Sequence, residues 1–107
     1  MSYAAKADIQ KRLDDQKLIQ LTDFANAGVM DDAKITEALA LATAEIDSYA
    51  GGRYTLPLTA SDQVKDKCVA LAIYKLYQGR QMVTEQVRRD YEDVIDFLEK
   101  VSAGKLS

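Results

Sequence analysis

The sequence contains no histidine, one cysteine and one proline, and each scarcity removes a class of function. Without histidine the chain lacks the commonest general base, the usual partner of a nucleophile and the usual nitrogen ligand for zinc. A lone Cys68 makes no intramolecular disulfide and leaves a structural zinc site without ligands, so a cytoplasmic origin is expected. No apolar run approaches the roughly 20 residues that span a bilayer, and the opening stretch MSYAAKADIQKRLDD holds no apolar core of signal-peptide length. The expectation is a soluble protein with no membrane partner.

Phosphate chemistry is equally short of residues. Gly51 and Gly52 lack the further glycines and the Lys-Ser/Thr of a phosphate loop, and they follow a helix instead of opening one. The formal net charge of -3 provides no concentrated positive face for nucleic acid, so specific nucleic-acid binding is not expected. Asp90, Glu92, Asp93, Asp96 and Glu99 are the one concentration of carboxylates. Glu92, Asp96 and Glu99 share a helical face, with Arg89 one turn before Asp93 and Lys100 one turn after Asp96, which describes a solvated or intersubunit face better than a cation site. No catalytic residue, cofactor or metal is expected, and the chain is not read as an enzyme.

What is present is helical. A chain of 107 residues with 48% hydrophobic content and five glycines fits one domain, residues 1–107, with a single modest core and an all-α composition. Ala5 to Leu13 and Gln16 to Leu21 each read as a short helix, with Asp14 or Asp15 as the cap between them and Ile9, Leu13, Leu18 and Leu21 facing inward. In the segment that follows, Asn26 and Gly28 signal a loop, and Phe24 and Val29 are expected as its anchors.

Three stronger helices come next. Asp31 or Asp32 caps the first, whose Ile35, Leu39, Ala42, Ile46 and Tyr49 repeat near 3.6 residues and which Gly51 stops. Thr59 and Asp62 match a T-x-x-D capping box ahead of Val64, Cys68, Leu71, Ala72 and Leu76, and Gly79 closes that helix. Within it VALAIYKLY is dense enough for a buried strand. The pattern from Val64 to Tyr77 outruns most strands, however, so the segment reads as a central helix covered on more than one side. Cys68, on its apolar face, reads as an inert core thiol. Thr84 caps the last helix, whose stripe is Val87, Tyr91, Val94, Ile95, Leu98 and Val101, with Gly104 as its C′ glycine. Tyr74, Tyr77 and Tyr91 are expected between helices.

The most informative stretch is AEIDSYAGGRYTLPL, Ala44 to Leu58. A helix ends in two glycines that permit positive φ, and Pro57 then biases Leu56 toward an extended backbone, giving a short arm with Arg53, Tyr54, Leu56 and Leu58. These residues either dock on another chain, with Arg53 and Tyr54 as anchors, or fold Leu56 and Leu58 back onto their own core. Charge is segregated too. Residues 60–82 carry four basic and two acidic side chains (+2), residues 83–102 three basic and six acidic (-3). Lys75, Arg80, Arg88 and Arg89 gather around the Gly79 turn, so Arg80, Arg88 and Arg89 join the candidate interface, where complementary faces can steer one copy onto the next.

The N-terminal MSYAAKADIQKRL, the LIQLTD of Leu18 to Asp23, the block Ala40 to Leu58 and the C-terminal RDYEDVIDFLEKVSAGKLS together resemble the small gene product of Mu-like prophages. IDSYAGGRYTLPL is the most specific part, followed by Tyr91, the run Phe97 to Val101, and Gly104. That family is similar to the helical head-completion connectors of tailed bacteriophages. The resemblance implies a structural virion protein, assembled in the host cytoplasm, that docks on the portal as a ring of about twelve copies with heterologous contacts and meets the next connector or tail protein. The competing expectation is a small adaptor or regulatory module binding a protein through a helix groove, monomeric or dimeric.

Overall fold

Capping side chains set where the helices begin. The computed structural model describes residues 2–52, 54–56, 58 and 61–104. Five helices follow in order: α1 (Lys6–Gln10), α2 (Asp15–Thr22), α3 (Asp32–Ala50), α4 (Asp62–Gly79) and α5 (Glu85–Ser102), with no strand among the described residues. The all-α reading therefore holds, as a small bundle of three long and two short helices. Asp14, Asp31 and Thr84 are the N-caps of α2, α3 and α5, each accepting a backbone N–H of the first turn, from Lys17 at 2.8 Å, Ala33 at 3.0 Å and Val87 at 3.2 Å.

Several boundaries differ from the sequence expectation. The first helix is five residues long and does not reach Leu13. Its chain turns where Arg12 and Leu13 both donate to the Ile9 carbonyl, making room for the cap of α2. The cap of α4 is Ser61, whose Oγ accepts from Val64 N–H at 3.1 Å. Ser61 directly precedes the first helical residue and Asp62 is itself helical, so the T-x-x-D box does not describe this start; Thr59 lies outside the described residues. Gly51 takes a right-handed φ of -62°, and neither it nor Gly52 has positive φ. The constraint at Gly51 is proximity: a Cβ there would lie 3.1 Å from the Asp47 carbonyl oxygen. Gly79 is the last residue of α4, and the left-handed residue of the following turn is Gln81 at φ 57°. Gly104, at φ 81°, is the C′ glycine expected of α5.

The central position read for VALAIYKLY is confirmed. Helix α4 packs against α1, α2, α3 and α5, and Val69, Ala70, Leu71, Ala72 and Ile73 are consecutively buried. A helix apolar all round must be covered all round. Ile35, Leu39, Ala42 and Ile46 of α3, Val94 and Leu98 of α5, and Ile9, Leu18 and Leu21 complete one hydrophobic cluster. Cys68 is fully buried in it, and burial raises its thiol pKa, as an inert core thiol requires.

The loop from α2 to α3 is held by polar groups and not by Phe24 and Val29. The Asp23 carboxylate accepts from the N–H groups of Ala27 and Gly28. The buried Thr22 hydroxyl donates to the Leu18 carbonyl and accepts from Asp31 N–H. With the loop fixed in that way, Phe24 stays 50% and Val29 64% exposed.

Candidate functional site

The arm after α3 is tied down by a residue from the other end of the chain. Tyr3 N–H donates to Thr43 Oγ1 at 3.1 Å, its phenol donates to the Asp47 carboxylate, and the same oxygen accepts from Leu58 N–H at 2.9 Å. Burial, followed by the hydrogen bond to Asp47, raises the Tyr3 pKa, so the phenol keeps its proton as the donor in this bridge. Thr43 Oγ1 also sits 3.6 Å from Cys68 Sγ. One tyrosine thus links α3, the arm and the core.

With Leu58 held there, its side chain packs partly buried against the core. The fold-back alternative describes Leu58. Leu56 behaves differently and remains 41% exposed. Tyr54 continues the line of α3 for one more hydrogen bond, its N–H donating to the Ala50 carbonyl at 2.9 Å, and its side chain is partly buried. Arg53 and Pro57 lie outside the described residues. The arm therefore leaves Leu56 partly exposed, with its Cδ1 leaning toward Gly51 at the end of α3, while Leu58 is held on the core.

The arginines read with the arm make separate contacts. Arg80 Nε donates to the Gln20 carbonyl at 3.1 Å, and its guanidinium lies 4.6 Å from the Phe24 ring centroid. It joins the ends of α2 and α4. Arg89 pairs with Glu85 at 2.7 Å within α5, one turn away from the Asp93 side on which a partner was expected. Arg88 is exposed beside Val83 and Thr84 at the start of α5. Lys75, the fourth member of that cluster, pairs with Glu45 at 2.8 Å, both side chains mostly covered. The turn after Gly79 is thus an intramolecular junction whose arginines, Arg80, Arg88 and Arg89, all remain exposed.

The tyrosines lie between helices as expected. Tyr74 and Tyr91 stack with centroids 3.9 Å apart and planes 16° from parallel, and Tyr77 is buried. Burial, with Glu45 nearby, raises the Tyr91 pKa. Among the described residues no three Cys, Asp or Glu side chains form a possible metal set, and no helix is long and apolar enough to cross a membrane.

Two features escaped sequence reasoning. Nothing in spacing ties Tyr3 to Asp47 and Leu58. Nor does Phe24 announce that its ring carries Lys34 Nζ at 4.0 Å as well as Arg80, since residues 18–33 around it hold no basic side chain.

The chain as a whole is similar to known phage proteins. The family model described as Bacteriophage Mu, Gp36 matches residues 3–107. Mu-like prophage FluMu protein gp36 of Haemophilus influenzae is 43% identical over 106 residues, covering 98% of this chain and 74% of that protein. Gene product J of Escherichia phage Mu is 37% identical over 107 residues, again covering 98% and 74%. A match over nearly the whole chain places this protein in the bacteriophage Mu Gp36 family.

Proposed function

We propose that this phage protein is a structural, non-enzymatic component of the virion, a head–tail connector that docks on the portal as a ring during head completion. The observation that carries this reading is the arm: a bundle of a phage family holds residue 58 by a hydrogen bond to Tyr3 and leaves Leu56 partly exposed beside it. A pre-positioned apolar side chain on a fixed backbone loses little entropy on docking, which favours assembly contacts. Tyr54 beside it supplies an aromatic side chain of the kind enriched at interfaces.

The test is cosedimentation of the purified protein with its cognate portal, for the native chain and for an Arg53→Ala/Tyr54→Ala variant. The connector reading expects stoichiometric binding by the native chain, lost in the variant while its melting temperature is unchanged. A variant that binds normally, or one that melts early as a free monomer, removes the arm from the interface. Failure of the native chain to bind an intact portal would transfer the role to a soluble adaptor module.

A further inference from the structure

Two surface features of opposite charge lie on opposite sides of α4. On one side an open groove of about 200 Å³ is lined by Phe24, Lys34, Leu41, Lys75 and Gly79, among others. Phe24 and Leu41, at 50% and 51% exposure, are its exposed apolar side chains. Lys34 and Arg80 are both held against the Phe24 ring, and neither makes an ion pair among the described residues. Glu37 also lines the groove, while Lys75 is already neutralised by Glu45. The rim is therefore net positive.

On the other side of α4 sits α5. Ala70, Ile73 and Tyr77 share a cavity with Val87, and Tyr74 stacks on Tyr91. With 3.6 residues per turn, these α4 positions point roughly opposite to Lys75, Leu76 and Gly79, which line the groove. The outer surface of α5 exposes Glu92, Asp93, Asp96 and Glu99, none of which has an ion-pair partner among the described residues. Lys100 is exposed beside them, as are Arg88 and Arg89 one turn earlier, of which Arg89 is paired with Glu85, so acids remain in excess on this face.

We propose that the Phe24–Leu41 groove receives the acidic outer face of α5 from a second copy of this chain, Lys34 and Arg80 meeting the carboxylates of Glu92, Asp96 and Glu99. The methylene stems of those acids cover the Phe24 ring and Leu41. Charge complementarity selects this occupant and its orientation, and removal of the two apolar side chains from water supplies affinity. Since donor and acceptor faces lie on opposite sides of one molecule, the contact is heterologous and repeats head to tail. This assignment rests on the connector reading and supplies the lateral contact between its subunits.

Disulfide trapping tests it, because the native Cys68 is buried and does not compete. Leu41→Cys and Asp96→Cys variants are mixed under mild oxidation, with and without the cognate portal. The expected product is the mixed dimer, in clear excess over that from a Gln10→Cys and Asp96→Cys pair, since Gln10 is exposed on α1 away from the groove. Adding Lys34→Glu and Arg80→Glu to the groove variant should lower the yield about tenfold, near 1.4 kcal/mol. Glu92→Lys and Glu99→Lys on the partner should restore it, and far-UV circular dichroism checks that each variant is folded. A yield no higher than the Gln10 control, or charge reversals without effect, overturns the proposal. So does a crosslink from position 41 to the portal, which gives the groove another occupant. A ring on the portal without the 41–96 crosslink would overturn this assignment and leave the connector reading standing. The crosslink without portal binding would support the assignment while that reading fails.

Discussion

Replacing Tyr3 by phenylalanine removes one oxygen and keeps the ring. That oxygen donates to the Asp47 carboxylate and accepts from Leu58 N–H at 2.9 Å, so its loss deletes a charge-assisted and a neutral hydrogen bond. Net values are about 1.5–3 kcal/mol for the first and about 1 kcal/mol for the second when the site is dry. Here both bonds are only partly buried, and water can replace much of what is lost, so a total of about 1–2 kcal/mol is expected. For a domain of this size that lowers the midpoint by roughly 4–8 °C per kcal/mol. Urea denaturation followed by circular dichroism measures the stability change, and amide hydrogen exchange at Leu58 reports the arm directly. The substitution should release Leu58 protection more than protection in α4, because the arm opens locally before the bundle unfolds. Unchanged Leu58 exchange, or a loss spread evenly over α4 and α5, would refute the bridge.

Three further outcomes follow from the same contacts. Leu71→Ala, at a fully buried position of the central helix, should destabilise by about 2–5 kcal/mol in urea titration, a large part of a small domain's stability. Ser61→Ala should cost about 1 kcal/mol by removing the acceptor for Val64 N–H, and a neutral result would move the cap of α4 elsewhere. The pKa values of Tyr3 and Tyr91 are raised, chiefly by burial. Their contribution is fully present below the unfolded tyrosine value of about 10 and is lost as pH rises through the higher folded values. A stability profile measured by urea titration should therefore fall above pH ~10, less steeply in Tyr3→Phe, whereas a rise in that range would have the wrong sign.

Helix identity was legible because it depends on local rules. Three caps, the stripe of α5 and the C′ glycine at 104 obey short-range spacing, and α4 revealed its central place by being apolar on several sides. The start of α4 failed because Ser61, and not a T-x-x-D box, caps it, whereas Gly79 closes the helix as read, with Gln81 as the left-handed residue of the turn that follows. Burial failed in the α2–α3 loop for a related reason. Asp23 and Thr22 satisfy the backbone there, so Phe24 and Val29 do not have to anchor it. The arm was legible as an irregular segment, but its attachment was not, since Tyr3 and Leu58 are 55 residues apart and no periodicity connects them. The arginines illustrate the same limit. Charge near a turn was visible in sequence, while the choice of Gln20 and Glu85 as partners for Arg80 and Arg89 is a product of tertiary placement.

The connector proposal rests on a partly exposed Leu56 in a chain of the Mu Gp36 family, and assembly can be tested directly. Electron microscopy of the purified protein mixed with its cognate portal is the decisive measurement. The connector account predicts a stoichiometric ring of additional density on the portal, with the segment after Gly51 at a subunit or portal contact. A portal that stays bare in the presence of excess, well-folded protein would contradict it.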